Sequence, residues 1–189
     1  MMTNTLEHRN PRFLCISLSD GSTLREMPLH HEVGGEPPGA GVEILEADDP
    51  LRLMLEQVSS LRLYCDNLSD ASAFYIAHPD EWEELRTEFE AWSFGREHAL
   101  PEWVSDAIVF AEVPNSGVYY LYSTGNDKGC IFEYSGDGDE LIKVSGSLDE
   151  FLTYICTPCD DLIADIQTYT RFSDGSSDTQ WLPQKYLHD

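Results

Sequence analysis

Apolar and polar positions follow several rhythms along this chain, and each rhythm predicts an element. Arg12 to Leu18 alternates as a strand, with Phe13, Cys15 and Ser17 on one side and Leu14, Ile16 and Leu18 on the other. Asp20-Gly21 is a turn signal directly after it. Pro28 to Gly41 holds Gly34-Gly35, Pro37-Pro38-Gly39 and Gly41, a composition that predicts a loop or linker. Asp49-Pro50 then opens a helix, with Asp at the N-cap and Pro where no N–H is required. Leu51, Met54, Leu55, Val58 and Leu61 continue as one apolar stripe, so the helix is expected to end near Asp66-Asn67.

Phe74-Tyr75-Ile76 is a short apolar run of strand type before His78-Pro79. In the next helix Asp80 and Glu83 stand at capping-box spacing. Trp82, Leu85, Phe89 and Trp92 form its core stripe, Glu81, Glu83, Glu84, Glu88 and Glu90 occupy mainly the other sides, and Gly95 is a stop signal. Four strand-like runs follow, at Ala107 to Val113, Val118 to Ser123, Cys130 to Tyr134 and Leu141 to Val144. Gly/Asn/Asp turns separate them, which predicts an antiparallel meander. Ser147-Leu148-Asp149-Glu150 is a second capping box, before a helix that buries Phe151, Leu152, Tyr154 and Ile155. Pro158 is expected to end it. Asp160 to Tyr169 reads as another helix, Ser173 to Asp178 as a polar loop, and Trp181-Leu182-Pro183 as a segment packing back on the body.

Charge narrows the function classes. The 189 residues carry 11 Lys plus Arg against 35 Asp plus Glu, a formal net charge of −24. Such a chain is poorly suited to a phosphate backbone or an anionic membrane, and well suited to a basic protein partner. Nothing approaches the apolar run of about 18 residues that spans a membrane, and the N-terminus lacks a secretory pattern. Five irregularly spaced cysteines fit reduced thiols, so the expected location is cytoplasmic.

Catalytic motifs are missing. There is no G-x-S-x-G, P-loop or dinucleotide fingerprint. Cys156-Thr157-Pro158-Cys159 is a C-x-x-C that follows a helix instead of opening one, which is a structural placement and not a redox one. No second pair completes a zinc site. His30-His31-Glu32 reads as surface, and Asp137-Gly138-Asp139-Glu140 as a hairpin turn, since Leu148 falls where a calcium loop needs its bidentate Glu. No metal and no cofactor are expected.

From Leu100 to Ile155 the order of pieces resembles the SUKH superfamily, which includes bacterial toxin-immunity proteins and a yeast cell-wall regulator. Leu100-Pro101-Glu102-Trp103 leads into Ile108-Val109-Phe110-Ala111, and Asn115-Ser116-Gly117 opens the aromatic strand Val118-Tyr119-Tyr120-Leu121. Gly129-Cys130-Ile131-Phe132-Glu133-Tyr134 and the closing Ser147-Leu148-Asp149-Glu150-Phe151-Leu152 complete the pattern. The resemblance implies an α+β fold with an antiparallel meander of about four to six strands flanked by helices. Residues 1–45 read as an irregular arm with a short strand, and 46–189 as the SUKH-like domain with a helical C-terminal extension.

The function implied is non-enzymatic. The expected role is an immunity protein that occludes the active site of a cationic toxin domain, a basic nuclease, and binds neither nucleic acid nor membrane. The partner-binding surface implied by the resemblance comprises Glu112, Tyr119, Tyr122, Asp127, Glu133, Tyr134, Asp137, Asp139 and Glu140. The helix acids Glu83, Glu84, Glu88 and Glu90 are a second patch. The alternatives are an intracellular regulatory or scaffold module and a hydrolase built on carboxylates.

Overall fold

A computed structural model describes residues 12–17, 23–28, 30–65, 72–94, 100–114, 116–136, 140–156 and 179–183. The strands are β1 (Arg12–Ser17), β2 (Thr23–Pro28), β3 (His30–Val33), β4 (Leu61–Cys65), β5 (Phe74–Ile76), β6 (Ile108–Val113), β7 (Val118–Tyr122), β8 (Ile131–Ser135), β9 (Glu140–Ser145) and β10 (Thr179–Pro183). The α-helices are α1 (Pro50–Leu55), α2 (Trp82–Ser93) and α3 (Leu148–Cys156), with 3₁₀ turns at Gly41–Ile44, Pro79–Glu81 and Glu102–Ser105. One sheet runs β10-β1-β2, and a second runs β3-β4-β5-β6-β7-β8-β9. The class is α+β as expected, but the larger sheet has seven strands, not four to six.

The chain divides into two compact units. The first takes the described residues of Met1–Glu32, Arg62–Ala73 and Ile155–Asp189. In it β1 pairs antiparallel with β2 and with β10, Cys15 lying opposite Arg25 and Trp181. Tyr64, buried in β4, donates its hydroxyl to the Ile155 carbonyl at 3.0 Å. The second unit takes Val33–Leu61 and Phe74–Tyr154.

The second unit is organised by its meander. Strands β5 to β9 pair antiparallel in chain order. One face carries Tyr120 and Tyr122 and is covered by α3, whose Phe151 packs tilted against Tyr120 at 5.0 Å and edge-on against Phe110 at 5.6 Å. The other face carries Tyr119 and Tyr134 and is covered by α2, whose Phe89 meets both rings edge-on at 5.9 and 5.2 Å. Burying these large rings supplies the main apolar stabilisation, roughly 1.5–3 kcal/mol for each side chain fully removed from water. In β6 the register slips between Val109 and Ala111, so Phe110 is an extra residue, a β-bulge.

Several local expectations are corrected. The helix opened by Asp49 stops at Leu55, and Leu61–Cys65 is strand β4. Ser59 and Ser60 are poor helix interior residues, while Leu61, Leu63 and Cys65 alternate at strand spacing. Within the expected linker, His30–Val33 forms β3 at the sheet edge, and only the stretch from Gly34 stays irregular until Gly41. Asp80 does not cap α2. Pro79 sets a 3₁₀ turn first, and the Asp80 N–H donates to His78 Nδ1 at 3.2 Å. Trp92 and Tyr154, expected inside, are exposed.

The Ser147 box forms with a displacement. The Glu150 N–H donates to Ser147 Oγ at 3.3 Å, but Glu150 Oε2 accepts from the Gly146 N–H at 3.0 Å, while the Ser147 N–H goes to Ser145 Oγ. The turn at Asp20-Gly21, the stops at Gly95 and Pro158, the helix at Asp160 to Tyr169 and the loop at Ser173 to Asp178 lie outside the described residues.

Candidate functional site

Sheet register brings a row of polar and aromatic residues together on the face under α2. Tyr75 lies opposite Glu112, Glu112 opposite Tyr119, Tyr119 opposite Tyr134, and Tyr134 opposite Leu141. Above this row, Glu84, Glu88 and Trp92 fall at spacings of four and therefore share one flank of α2, and Glu81 ends the 3₁₀ turn just before it. Tyr75 donates its hydroxyl to the Glu81 carboxylate.

Glu112 is a half-buried carboxyl with negative neighbours. Burial, reinforced by the negative charges of Glu88 and Glu81, pushes its carboxyl up from 4.5 to about 7. The same surroundings raise the neighbouring phenols. Burial is the larger cause at Tyr119, with Glu112 and Glu88 adding to it, and at Tyr75 burial acts together with its bond to Glu81. The acids Glu81, Glu84 and Glu88 themselves stay exposed.

At the end of α2 the surface changes from acidic to aromatic. The Trp92 indole lies against the backbone of Gly117 and Gly136, close enough that a Cβ at Gly117 would sit 2.9 Å from the ring. Gly117 also has a φ of +71°, which a residue with a side chain adopts only with strain. The Gly136 N–H donates to the Gly117 carbonyl at 3.0 Å, so both turns form the seat for the ring. Trp92 remains 42% exposed, and Phe94, just beyond the helix, is 88% exposed.

Cations of the second unit are engaged by their own surroundings. Arg86, on the opposite flank of α2, donates to the Val104 carbonyl at 3.1 Å and also to the Ala107 carbonyl, tying down the 3₁₀ turn at Glu102–Ser105. Arg52 is held by Glu56 and the Leu45 carbonyl, and Lys128 by Glu46.

The residues proposed on sequence do not form one patch. Tyr119, Tyr122 and Tyr134 are buried in the core and supply no surface anchor. Their alternating apolar neighbours allow either face to be the inner one, and the sheet has helices on both. Glu112 is half-buried under α2, while Glu133 lies opposite Tyr120 on the other face. Asp127 is exposed in the β7–β8 turn and Glu140 at the start of β9, at opposite ends of β8. Asp137 and Asp139 lie outside the described residues. The second patch fares differently, since Glu83, Glu84, Glu88 and Glu90 are all exposed on α2. Sequence reasoning missed Trp92 and Phe94 as surface, because a Trp in phase with a core stripe reads as core.

Two other features bear on chemistry. Burial pushes the Cys156 thiol up to about 11, the reverse of what a reactive thiolate requires, and Cys159 lies outside the described residues. In the first unit, His30, Glu32 and Cys65 bring one donor atom each to within 4.8 Å of one another. His30 was expected on the surface but is half-buried.

No family model, no curated protein and no solved structure matches this chain. Among the described residues, no helix is long and apolar enough to cross a membrane.

Proposed function

We propose that this chain is a non-enzymatic binding protein whose α2 face receives a basic protein partner. The observation that carries the reading is the exposed pair Trp92 and Phe94 beside the acids Glu81, Glu84 and Glu88. Negative charge steers a cationic surface into encounter, and exposed aromatics then provide anchors to be buried. A net charge of −24 acts in the same direction. Taken with the SUKH resemblance, the partner is a toxin nuclease domain, whose positive phosphate-binding surface the acidic face covers.

The test is copurification with the product of the neighbouring gene, then stopped-flow association at two salt concentrations. The on-rate falls steeply with salt, and Phe94→Ala raises the off-rate. A salt-independent on-rate overturns the electrostatic part, and failure to bind any basic partner overturns the reading.

The elevated carboxyl of Glu112 favours one second reading, acid–base chemistry in a carboxylate hydrolase. Its signature is a hydrolytic activity that Glu112→Gln abolishes while partner binding persists.

A further inference from the structure

We infer that His30, Glu32 and Cys65 form a binding site for a borderline-soft divalent transition metal, best matched by Zn²⁺. Three dissimilar donors, an imidazole nitrogen, a carboxylate oxygen and a thiol sulfur, converge from β3 and β4 to within 4.8 Å of one another. This is the N/O/S mixture zinc takes, and bonds of about 2.0–2.3 Å at tetrahedral angles put the donors roughly 3.3–3.6 Å apart, so the triad closes by up to about 1.5 Å around the ion. His30 and Glu32 are two apart on β3, so both point to the same side of the strand.

The surroundings fit the ion. Glu32 already meets the imidazole, its Oε1 lying 3.1 Å from His30 Nε2, close to the ligand–ligand spacing of a tetrahedral centre. Its other oxygen accepts from Arg62 at 2.8 Å, which fixes the carboxylate for one-oxygen coordination. Either ring nitrogen can be the ligand, and His30 Nδ1 is buried with no hydrogen-bond partner among the described residues, so its lone pair is open to an ion in the tautomer that leaves it unprotonated. Next to Cys65, Tyr64 holds a φ of 56° and its N–H donates to His31 Nδ1 at 3.2 Å, so a strained, pinned backbone presents the thiol.

Binding forms Zn–N, Zn–O and Zn–S bonds, and the Cys65 thiol proton leaves to solvent. The dication with one thiolate and one carboxylate is then neutral, which suits a position where Cys65 is buried. Three protein donors leave one coordination position for water or another ligand.

The experiment titrates the reduced full chain with Zn²⁺ against a chromophoric chelator, and with Co²⁺ for its spectrum. One Zn²⁺ binds per chain with release of the thiol proton, and Co²⁺ gives a near-ultraviolet thiolate charge-transfer band. Cys65→Ser abolishes the band, and His30→Gln and Cys65→Ser each weaken binding at least about tenfold, with Arg62→Gln weakening it less. Cys130→Ser changes neither. Should Cys65→Ser fail to fold, Glu32→Gln at its exposed position reads the same loss. Absence of one-to-one binding, or affinity and band unchanged in the Cys65 and Glu32 variants, overturns the site.

Discussion

Two carboxyl groups taken out of water in the second unit have opposite surroundings. Asp49 is almost wholly buried beside Tyr122. Its Oδ1 accepts from the Leu51 N–H at 3.0 Å, where it caps α1, and from the Tyr122 hydroxyl at 2.8 Å. Its Oδ2 lies 3.9 Å from Lys128 Nζ. Glu112, under α2, has Glu88 and Glu81 as its charged neighbours. Asp49 therefore organises a helix start and a strand, while Glu112 is held in a charge arrangement that works against its ionised form. The first is what a fold requires of a buried acid, and the second is a feature the fold tolerates.

The largest effect is expected at Asp49. Asp49→Ala removes the cap and strands a buried hydroxyl, costing about 2–4 kcal/mol in chemical denaturation. Glu112→Gln has the opposite sign. The folded state holds the Glu112 proton more tightly than the unfolded state, so its contribution is fully present below about 4.5 and is lost as pH rises through about 7. The variant should match the parent near pH 4 and exceed it at pH 8 by about 1–3 kcal/mol, less than the full shift because water screens the site. A flat difference across that range would show that Glu112 is not the titrating group.

Smaller changes sharpen the contrast. Tyr122→Phe leaves Asp49 with its N–H donor and costs about 1 kcal/mol. Glu88→Gln removes one repulsive neighbour, so the carboxyl titration of Glu112 followed by NMR moves down towards the ordinary range, by less than one pH unit. An unmoved titration would leave burial and Glu81 as the causes.

The difference between the two acids was half legible in the sequence. Asp49-Pro50 announces a helix cap by residue type alone, and the cap forms. The four strands from Ile108 to Ser145 were readable too, because β-branched and aromatic runs are separated by turn residues. Glu112 was picked out, but its setting was not visible, since the acids that load it lie on a helix whose pairing with β6 is a matter of tertiary packing. The boundary between α1 and β4 failed for a related reason: Leu61 is in phase with the helical stripe as well as with its strand. Cys65 gave no metal signal, because its companions His30 and Glu32 are far away in the chain and meet it only through strand pairing.

The extra residue in β6 has a wider consequence. Counting by twos from Ile108 would send Glu112 to the side of Tyr122, among the rings that stack on α3. Phe110 adds one to the count, so the strand leaves the bulge with its parity reversed, and Glu112 emerges beneath α2 instead. Were the same six residues paired in unbroken register, with no bulge, that carboxylate would turn into an aromatic interior and the acidic helix would stand above an apolar floor, so the electrostatic character of this face hangs on whether one count is odd or even.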